Sequence, residues 1–277
     1  MFLLFDIGGT HMRIAICEDG KTISNLVVFT TPPTFEEGMQ MLIENGRKIA
    51  GNMNISAVAG GLAGSFDSRH ECLVSGSNVK AWIGHPIKKE LERAFQAPVM
   101  LENDAALAGL GEAVEGAGKD HEIIAYITVS TGVGGARITR KTIDPCKYGF
   151  EPGFQIVDAG KCLCTTCAKM HLGAHISGRG IEDRYHKKAE EITDGAIWDD
   201  IARHLAIGLN NTIVHWCPDI VVLGGAVMQS ISIEKVRIYV AEMLRIYPEV
   251  PPIEQAMLGD MSGLYGALEI ARMHHKT

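Results

Sequence analysis

Short apolar runs broken by glycine organise the first hundred positions. Met1–Phe5 is such a run, ended by Gly8-Gly9, and RIAIC at 13–17 alternates as a partner strand. Asp19-Gly20 then offers a hairpin turn. Thr34-Phe35-Glu36-Glu37 has the form of a capping box and opens a helix carrying Met41, Leu42 and Ile49. SAVAGGLAG predicts a strand running into a small-residue loop, and Pro86 suits the first turn of a helix through IKKELERAF. APVMLEND is a further strand, with Asp104 where it hands over to the helix of AALAGLGEA.

The opening pattern then recurs. IIAYITVSTGVGGARIT is again strand, glycine turn, strand, and PDIVVLGGAVM is a strand ending in Gly224-Gly225. Helical periodicity fills 197–216, 233–247 and 263–274. Strands mixed with helices predict an α/β fold, and the repeated strand–turn–strand unit predicts two related domains facing a cleft.

Composition removes several classes of function. The chain has 277 residues, 46% hydrophobic and 21% charged, with a net charge of −7. These values are ordinary for a globular protein. No run of Lys or Arg forms a nucleic-acid footprint, so nucleic acid is not an expected partner. No run of about twenty apolar residues exists to span a membrane. MFLLFDIGGTHMR has no basic segment before its apolar run, unlike a signal peptide. The seven cysteines, three clustered and four scattered, make a poor disulfide framework. A cytoplasmic location is expected.

Glycine turns between strands expose backbone N–H groups that can nest phosphate oxygens, although each alone most often marks a tight turn. TGVGGA lacks the dinucleotide-binding spacing, and a strand follows it where that fold needs a helix. Gly20-Lys21-Thr22 imitates the end of a P-loop, but Ala15 stands where its first glycine belongs.

The ordered set DIGGTHMR, ENDA, STGVGG and VVLGGAV resembles the ROK family (repressors, open reading frames and sugar kinases) of the actin and hexokinase superfamily. The resemblance runs from Asp6 to the terminal GLYGAL segment. It implies two actin-like, ribonuclease H-like domains flanking a nucleotide and sugar cleft. The expected boundaries are 1–108 and 109–262, with helix 263–277 packing back on the first domain and a zinc-binding insertion near 151–178. No helix-turn-helix segment precedes Phe2, so the DNA-binding branch of the family is not expected.

By the same resemblance the activity is ATP- and Mg²⁺-dependent phosphorylation of a hexose or amino-hexose. Asp6 would hold Mg²⁺ through water, while Gly8, Gly9 and Thr10 approach the β- and γ-phosphates. Thr131, Gly132, Gly134 and Gly135 would close over the phosphates from the other domain, and Gly224 and Gly225 would pack against the adenosine. Such chemistry asks the protein mainly for alignment, charge stabilisation and exclusion of water.

Asp104 follows a strand at an expected helix start, so by itself it reads as an N-cap or as a base. The resemblance implies the base, accepting the sugar hydroxyl's proton, with Asn103 orienting the hydroxyls. Glu102 is a competing carboxylate whose side chain points to the opposite face of an extended segment. His11, beside the first glycine turn, reads as a surface or packing residue. GSNVKAW resembles the family's SPN-x-x-x-W and gives Asn78 as a hydroxyl ligand beside Trp82, although Ser75–Asn78 also reads as a turn. GGLAGSFD resembles the family's GxAGPVD loop, which implies that the backbone of Gly64 lies near the sugar.

In EPGFQ, Glu151 and Gly153 match a Glu-x-Gly-His motif whose glutamate binds sugar, but Phe154 replaces the histidine. Phenylalanine can neither ligate zinc nor hydrogen-bond a hydroxyl. The zinc segment is altered as well. Alignment on Ser177-Gly178 puts Thr166 and His171 at family cysteine positions and Gly173 at that of a sugar-binding glutamate. Cys162, Cys164, Cys167 and His171 still form a Cys₃His set for a structural, tetrahedral Zn²⁺, with His175 in reserve. Free thiols or a redox pair are the other reading. Four protein ligands leave no open position on the ion, so it would pin a loop and take no part in chemistry. A catalytically weak sugar- or nucleotide-binding sensor of the same fold is the rival function, and a homodimer is usual in the resembled family.

Overall fold

The computed structural model describes residues 1–76, 79–158 and 170–276. Asn78, Cys162, Cys164 and Cys167 lie outside the described residues. The chain divides into two compact units, one of Met1–Gly116, Pro145–Gly149 and Asp260–Thr277, the other of Ala117–Asp144 and Phe150–Gly259.

In the first unit, β1 (Phe2–Ile7), β2 (His11–Cys17) and β3 (Ile23–Thr30) form an antiparallel meander. β4 (Ala57–Leu62) and β7 (Val99–Asn103) continue the sheet in parallel with β1, giving the order β3-β2-β1-β4-β7. A small hairpin, β5 (Ser65–Phe66) and β6 (Leu73–Ser75), intervenes in the chain.

Strand alternation sorts β1 into two faces. Leu3, Phe5 and Ile7 join a core with Phe35, Met39 and Leu42 of α1 (Phe35–Ala50) and with Ile87, Leu91 and Phe95 of α2 (Ile87–Phe95). α1 starts where its sequence signal lies, with Thr34 Oγ1 accepting the Glu37 N–H at 3.3 Å. α3 (Asp104–Val114) and α8 (Ser262–Lys276) pack on one another, and α8 also packs on β1 and β4. Its Gly263 backs Asp6, so α8 covers the face of β1 that carries this carboxylate.

The second unit repeats this arrangement in its own sheet. β8 (Ile123–Val129), β9 (Val133–Thr139) and β10 (Thr142–Ile143) are antiparallel, while β11 (Ile220–Gly224) and β12 (Ile253–Gln255) run parallel to β8. The order β10-β9-β8-β11-β12 matches the first sheet strand for strand. α4 (Leu172–Ile176), α5 (Gly178–Tyr185), α6 (Gly195–Trp216) and α7 (Ile233–Met243) complete the unit. Leu205, Leu209 and Ile213 of α6 and Val236 and Val240 of α7 bury against Ile127, Val129 and Val221 of the sheet. Asp199 fastens α6 to α7, accepting from Lys235 Nζ at 2.6 Å and Tyr239 Oη at 2.7 Å. Among the described residues, no helix is long and apolar enough to cross a membrane.

Candidate active site

The parallel strands of the first sheet end on the same side, the position where open α/β sheets commonly bind ligands. Asp6 near the end of β1, Gly64 after β4, and Asn103 and Asp104 at the end of β7 gather there. Capping of α3, one of the two roles open to Asp104 from sequence, belongs to its neighbour. Asn103 Oδ1 accepts the Ala106 N–H at 3.0 Å, and Asn103 Nδ2 donates to the Gly64 carbonyl at 3.0 Å. One amide N–H of Asn103 is left over after these two bonds. Asp104 occupies the first helical position, and its Oδ1 accepts the adjacent Ala105 N–H at 2.8 Å.

Both carboxyls are drawn toward neutrality. Burial pushes Asp104 up to about 6. Burial and then the charge of Asp104 push Asp6 up to about 7, against the lowering effect of Arg13. The Asp6 side chain keeps 17% exposure, and Arg13 reaches its Oδ2 at 3.7 Å while also contacting Asp260 Oδ2 at 3.0 Å. Two half-buried carboxyls that resist simultaneous ionisation form a set that a divalent cation fits, because the cation supplies the missing positive charge. Among the described residues no group of three or more His, Cys, Asp or Glu side chains could hold a metal. Mg²⁺ commonly takes one or two carboxylates and fills its remaining positions with water and phosphate oxygen.

Glu102 turns to the β5–β6 hairpin. Its Oε2 lies 3.6 Å from His70 Nδ1 and its Oε1 accepts the Asn103 N–H at 2.8 Å. Between β1 and β2, Gly9 and Thr10 are exposed. The turn is held by Gly8 N–H to the His11 carbonyl at 2.9 Å and by Thr31 Oγ1 to the Gly8 carbonyl at 2.7 Å. His11 is exposed at the start of β2. Trp82 is 1% exposed and packs edge-on against Phe35, with ring centroids 5.3 Å apart.

In the second unit only Ser130–Gly132 form the turn expected from STGVGG. Thr131 and Gly132 are exposed, whereas Gly134 and Gly135 lie within β9, paired with Thr128 and Ile127. Gly135 is buried, and its lack of a side chain serves packing: a Cβ there would stand 2.9 Å from Pro152 Cγ and 2.5 Å from the Tyr126 carbonyl. Gly225 has φ +95° and lies so close to β8 that a Cβ would meet the Val129 carbonyl at 2.2 Å. What supports the Ser130–Gly132 turn has no signal in the sequence. Gly178 and Arg179, at the start of α5, donate their N–H groups to the Ser130 and Thr131 carbonyls at 2.8 and 3.3 Å.

Glu151 is exposed and precedes a single 3₁₀ turn, Pro152–Phe154. Pro152 and Gly153 are buried, which drives Phe154 outward to 67% exposure. The His171 ring stacks on Phe154 at 5.2 Å, and its Nδ1 sits 3.1 Å from the Gly153 carbonyl and 3.2 Å from the Ala174 nitrogen. Donation of Nδ1–H to the Gly153 carbonyl leaves Nε2 as a lone-pair ligand, the usual support for a metal-bound imidazole. Accepting from Ala174 instead puts the proton on Nε2. Gly173 is buried with the Gly153 carbonyl and the His171 ring each 3.3 Å from the site of a Cβ, so a glutamate at 173 has to displace them. His175 is buried and stacks on His204 at 4.2 Å.

Two matched actin-like sheets with glycine turns beside parallel-strand ends define the superfamily. The chain belongs to the ROK family, whose pattern it matches over residues 3–274. It is similar to the glucokinase of Streptomyces coelicolor, 30% identical over 194 residues that span 68% of this chain and 59% of that enzyme's length. The glucokinase of Thermotoga maritima is 26% identical over 258 residues, 81% of each chain. Among solved structures, the ROK hexokinase of Thermus thermophilus superposes with a TM-score of 0.84 at 30% identity, covering 99% of both chains.

Proposed function

We propose that this protein phosphorylates a hydroxyl of a hexose or amino-hexose at the expense of ATP, with Asp104 as general base. The observation that carries this reading is the state of Asp104. It lies in the first turn of α3, relieved of capping by Asn103, with burial pushing it up to about 6. Such a carboxyl is ionised at neutral pH yet basic enough to take a hydroxyl proton in the transition state. The oxygen freed of that proton attacks the γ-phosphorus, the bond to the bridging oxygen breaks, and ADP leaves. When bound, Mg²⁺ neutralises charge on the phosphate oxygens, and Asp6 is the residue placed to hold it through water.

Within the first unit, Gly8, Gly9 and Thr10 offer the β1–β2 turn to phosphate; within the second, Thr131 and Gly132 form the exposed turn expected to bind phosphate. Gly134 and Gly135 shape that turn from within β9, and Gly224 and Gly225 approach the nucleoside. Asn103, Asn78, Glu151 and the Gly64 backbone are the sugar contacts. The glucokinase and hexokinase names of the relatives support a sugar as the acceptor. The intact carboxylates and glycine turns favour the kinase over the sensor.

ADP release measured across glucose, fructose, mannose and the N-acetyl hexosamines tests the reading directly. Turnover with at least one of them is expected, and no turnover with any ends the proposal for these sugars. Phe154 replaces a hydrogen-bonding histidine in the resembled motif, so Phe154→His is expected to lower the sugar KM several-fold with little change in kcat. An unchanged or raised KM removes position 154 from sugar recognition.

The zinc clip is the second part of the proposal, with Cys162, Cys164, Cys167 and the Nε2 of His171 as ligands. Metal analysis of purified protein is expected to find one zinc per chain, lost on His171→Ala. Absence of zinc from the wild-type protein overturns the site.

A further inference from the structure

α3 carries a second carboxyl that the proposed chemistry leaves unused. Glu112 lies two turns beyond Asp104 and is fully buried, at 0% exposure. A carboxyl group so placed is costly unless its oxygens are bonded. Ser262 Oγ, itself in a residue only 3% exposed, donates to Glu112 Oε1 at 2.9 Å. The two residues are 150 positions apart in the chain, and Ser262 is the first residue of α8.

The helices meet there without side chains between them. A Cβ on Gly111 would stand 2.0 Å from the Ser262 carbonyl, and one on Gly266 would stand 1.9 Å from the Leu107 carbonyl. The residue after Ser262 is Gly263, where a Cβ would come within 3.2 Å of both Cγ and Oδ2 of Asp6. A continuous path therefore runs from Glu112 through its bond to Ser262 and one peptide to the backbone that bounds the Asp6 carboxyl. Asp104 begins the same helix that carries Glu112. One helix thus bears the proposed base and the group that anchors the wall behind the proposed metal-holding carboxylate.

We infer that Glu112 is a positioning residue for Asp6. By holding Ser262 it fixes the first turn of α8, and so sets where the Asp6 carboxylate stands for a cation bound with the nucleotide. The inference rests on the phosphoryl-transfer reading of Asp6. If Glu112 served stability alone, its loss would lower the unfolding temperature without changing cation affinity.

The test uses the full chain as wild type and as Ser262→Ala, Glu112→Ala and Glu112→Gln. Mn²⁺ binding in the presence of ADP is followed by the loss of the free-ion electron paramagnetic resonance signal, with kcat and the thermal midpoint measured in parallel. Ser262→Ala removes a single hydroxyl and keeps the inference testable if Glu112→Ala fails to fold. Ser262→Ala and Glu112→Ala are expected to weaken Mn²⁺ binding roughly 10-fold, the scale at which supporting partners of metal ligands act. They should lower kcat with the sugar KM unchanged. Glu112→Gln retains an acceptor for Ser262 and should recover most of the affinity. Wild-type Mn²⁺ affinity in Ser262→Ala, or a Glu112→Gln protein as impaired as Glu112→Ala, overturns the inference while leaving the kinase reading intact. A wild-type protein that binds no Mn²⁺ with ADP overturns both.

Discussion

Asp104→Asn is expected to lower kcat by about 10²–10⁴-fold while the sugar KM changes by only a few-fold. The amide keeps the size of the side chain and an oxygen to accept the Ala105 N–H, now 2.8 Å from Asp104 Oδ1, so α3 starts as before. Only the ability to take a proton is lost. Helix capping is unaffected because Asn103 supplies it. The wild-type pH profile carries the same signature. Burial pushes Asp104 up to about 6 in the free protein, and a base must be ionised to act, so kcat/KM falls at least tenfold per pH unit below that value. Steady-state ADP release between pH 5 and 8 measures both effects. An Asp104→Asn enzyme retaining more than a tenth of the wild-type kcat would remove Asp104 as the base and leave Glu102 as the next carboxylate to examine.

The paired sheets were legible in the sequence because a strand, a glycine turn and an alternating strand repeat at residues 1–17 and 123–139. Glycine placement was less informative about what each glycine does. Gly134 and Gly135 have the composition of a turn, yet pairing with Thr128 and Ile127 of β8 makes them strand residues. Glu102, Asn103 and Asp104 are three consecutive polar residues, and sequence alone does not choose the cap among them. The choice is made by pairing, since Leu62↔Asn103 is the last register pair between β4 and β7 and the chain turns there. β10 and β12, of two and three residues, are too short to show a period. α4 and α5 are short, and α5 has two glycines in its first three positions. Arg13 and Glu112 contact Asp260 and Ser262, partners supplied by a distant part of the chain.

Asp6→Asn is expected to raise the thermal midpoint of the nucleotide-free protein at pH 8 while reducing kcat by 10²-fold or more. Asp6 is pushed up to about 7 in the folded chain, whereas its ordinary value is 3.8. Between those limits the folded state holds a proton that the unfolded state has released. Stability is therefore full below pH 3.8, falls as pH rises through the window, and levels off above about 7. At about 1.4 kcal/mol for each pH unit, the cost of the ionised carboxylate is on the order of 4 kcal/mol at pH 8. Asparagine never ionises and avoids this cost, while Arg13 keeps its contact with Asp260 at 3.0 Å. The gain should be several degrees at pH 8 and should shrink toward zero as pH falls to 4 and below, where the wild-type carboxyl becomes protonated in the folded and unfolded states alike. The substitution also removes the repulsion between Asp6 and Asp104, so the gain reports the pair. A bound cation offsets the same cost in the wild type, which is why the group that destabilises the empty protein is the one catalysis needs. Mg²⁺ with ADP should accordingly stabilise the wild type more than Asp6→Asn. An Asp6→Asn protein no more stable than wild type at pH 8, or one that turns over normally, would show that this carboxylate is not held in readiness for a cation.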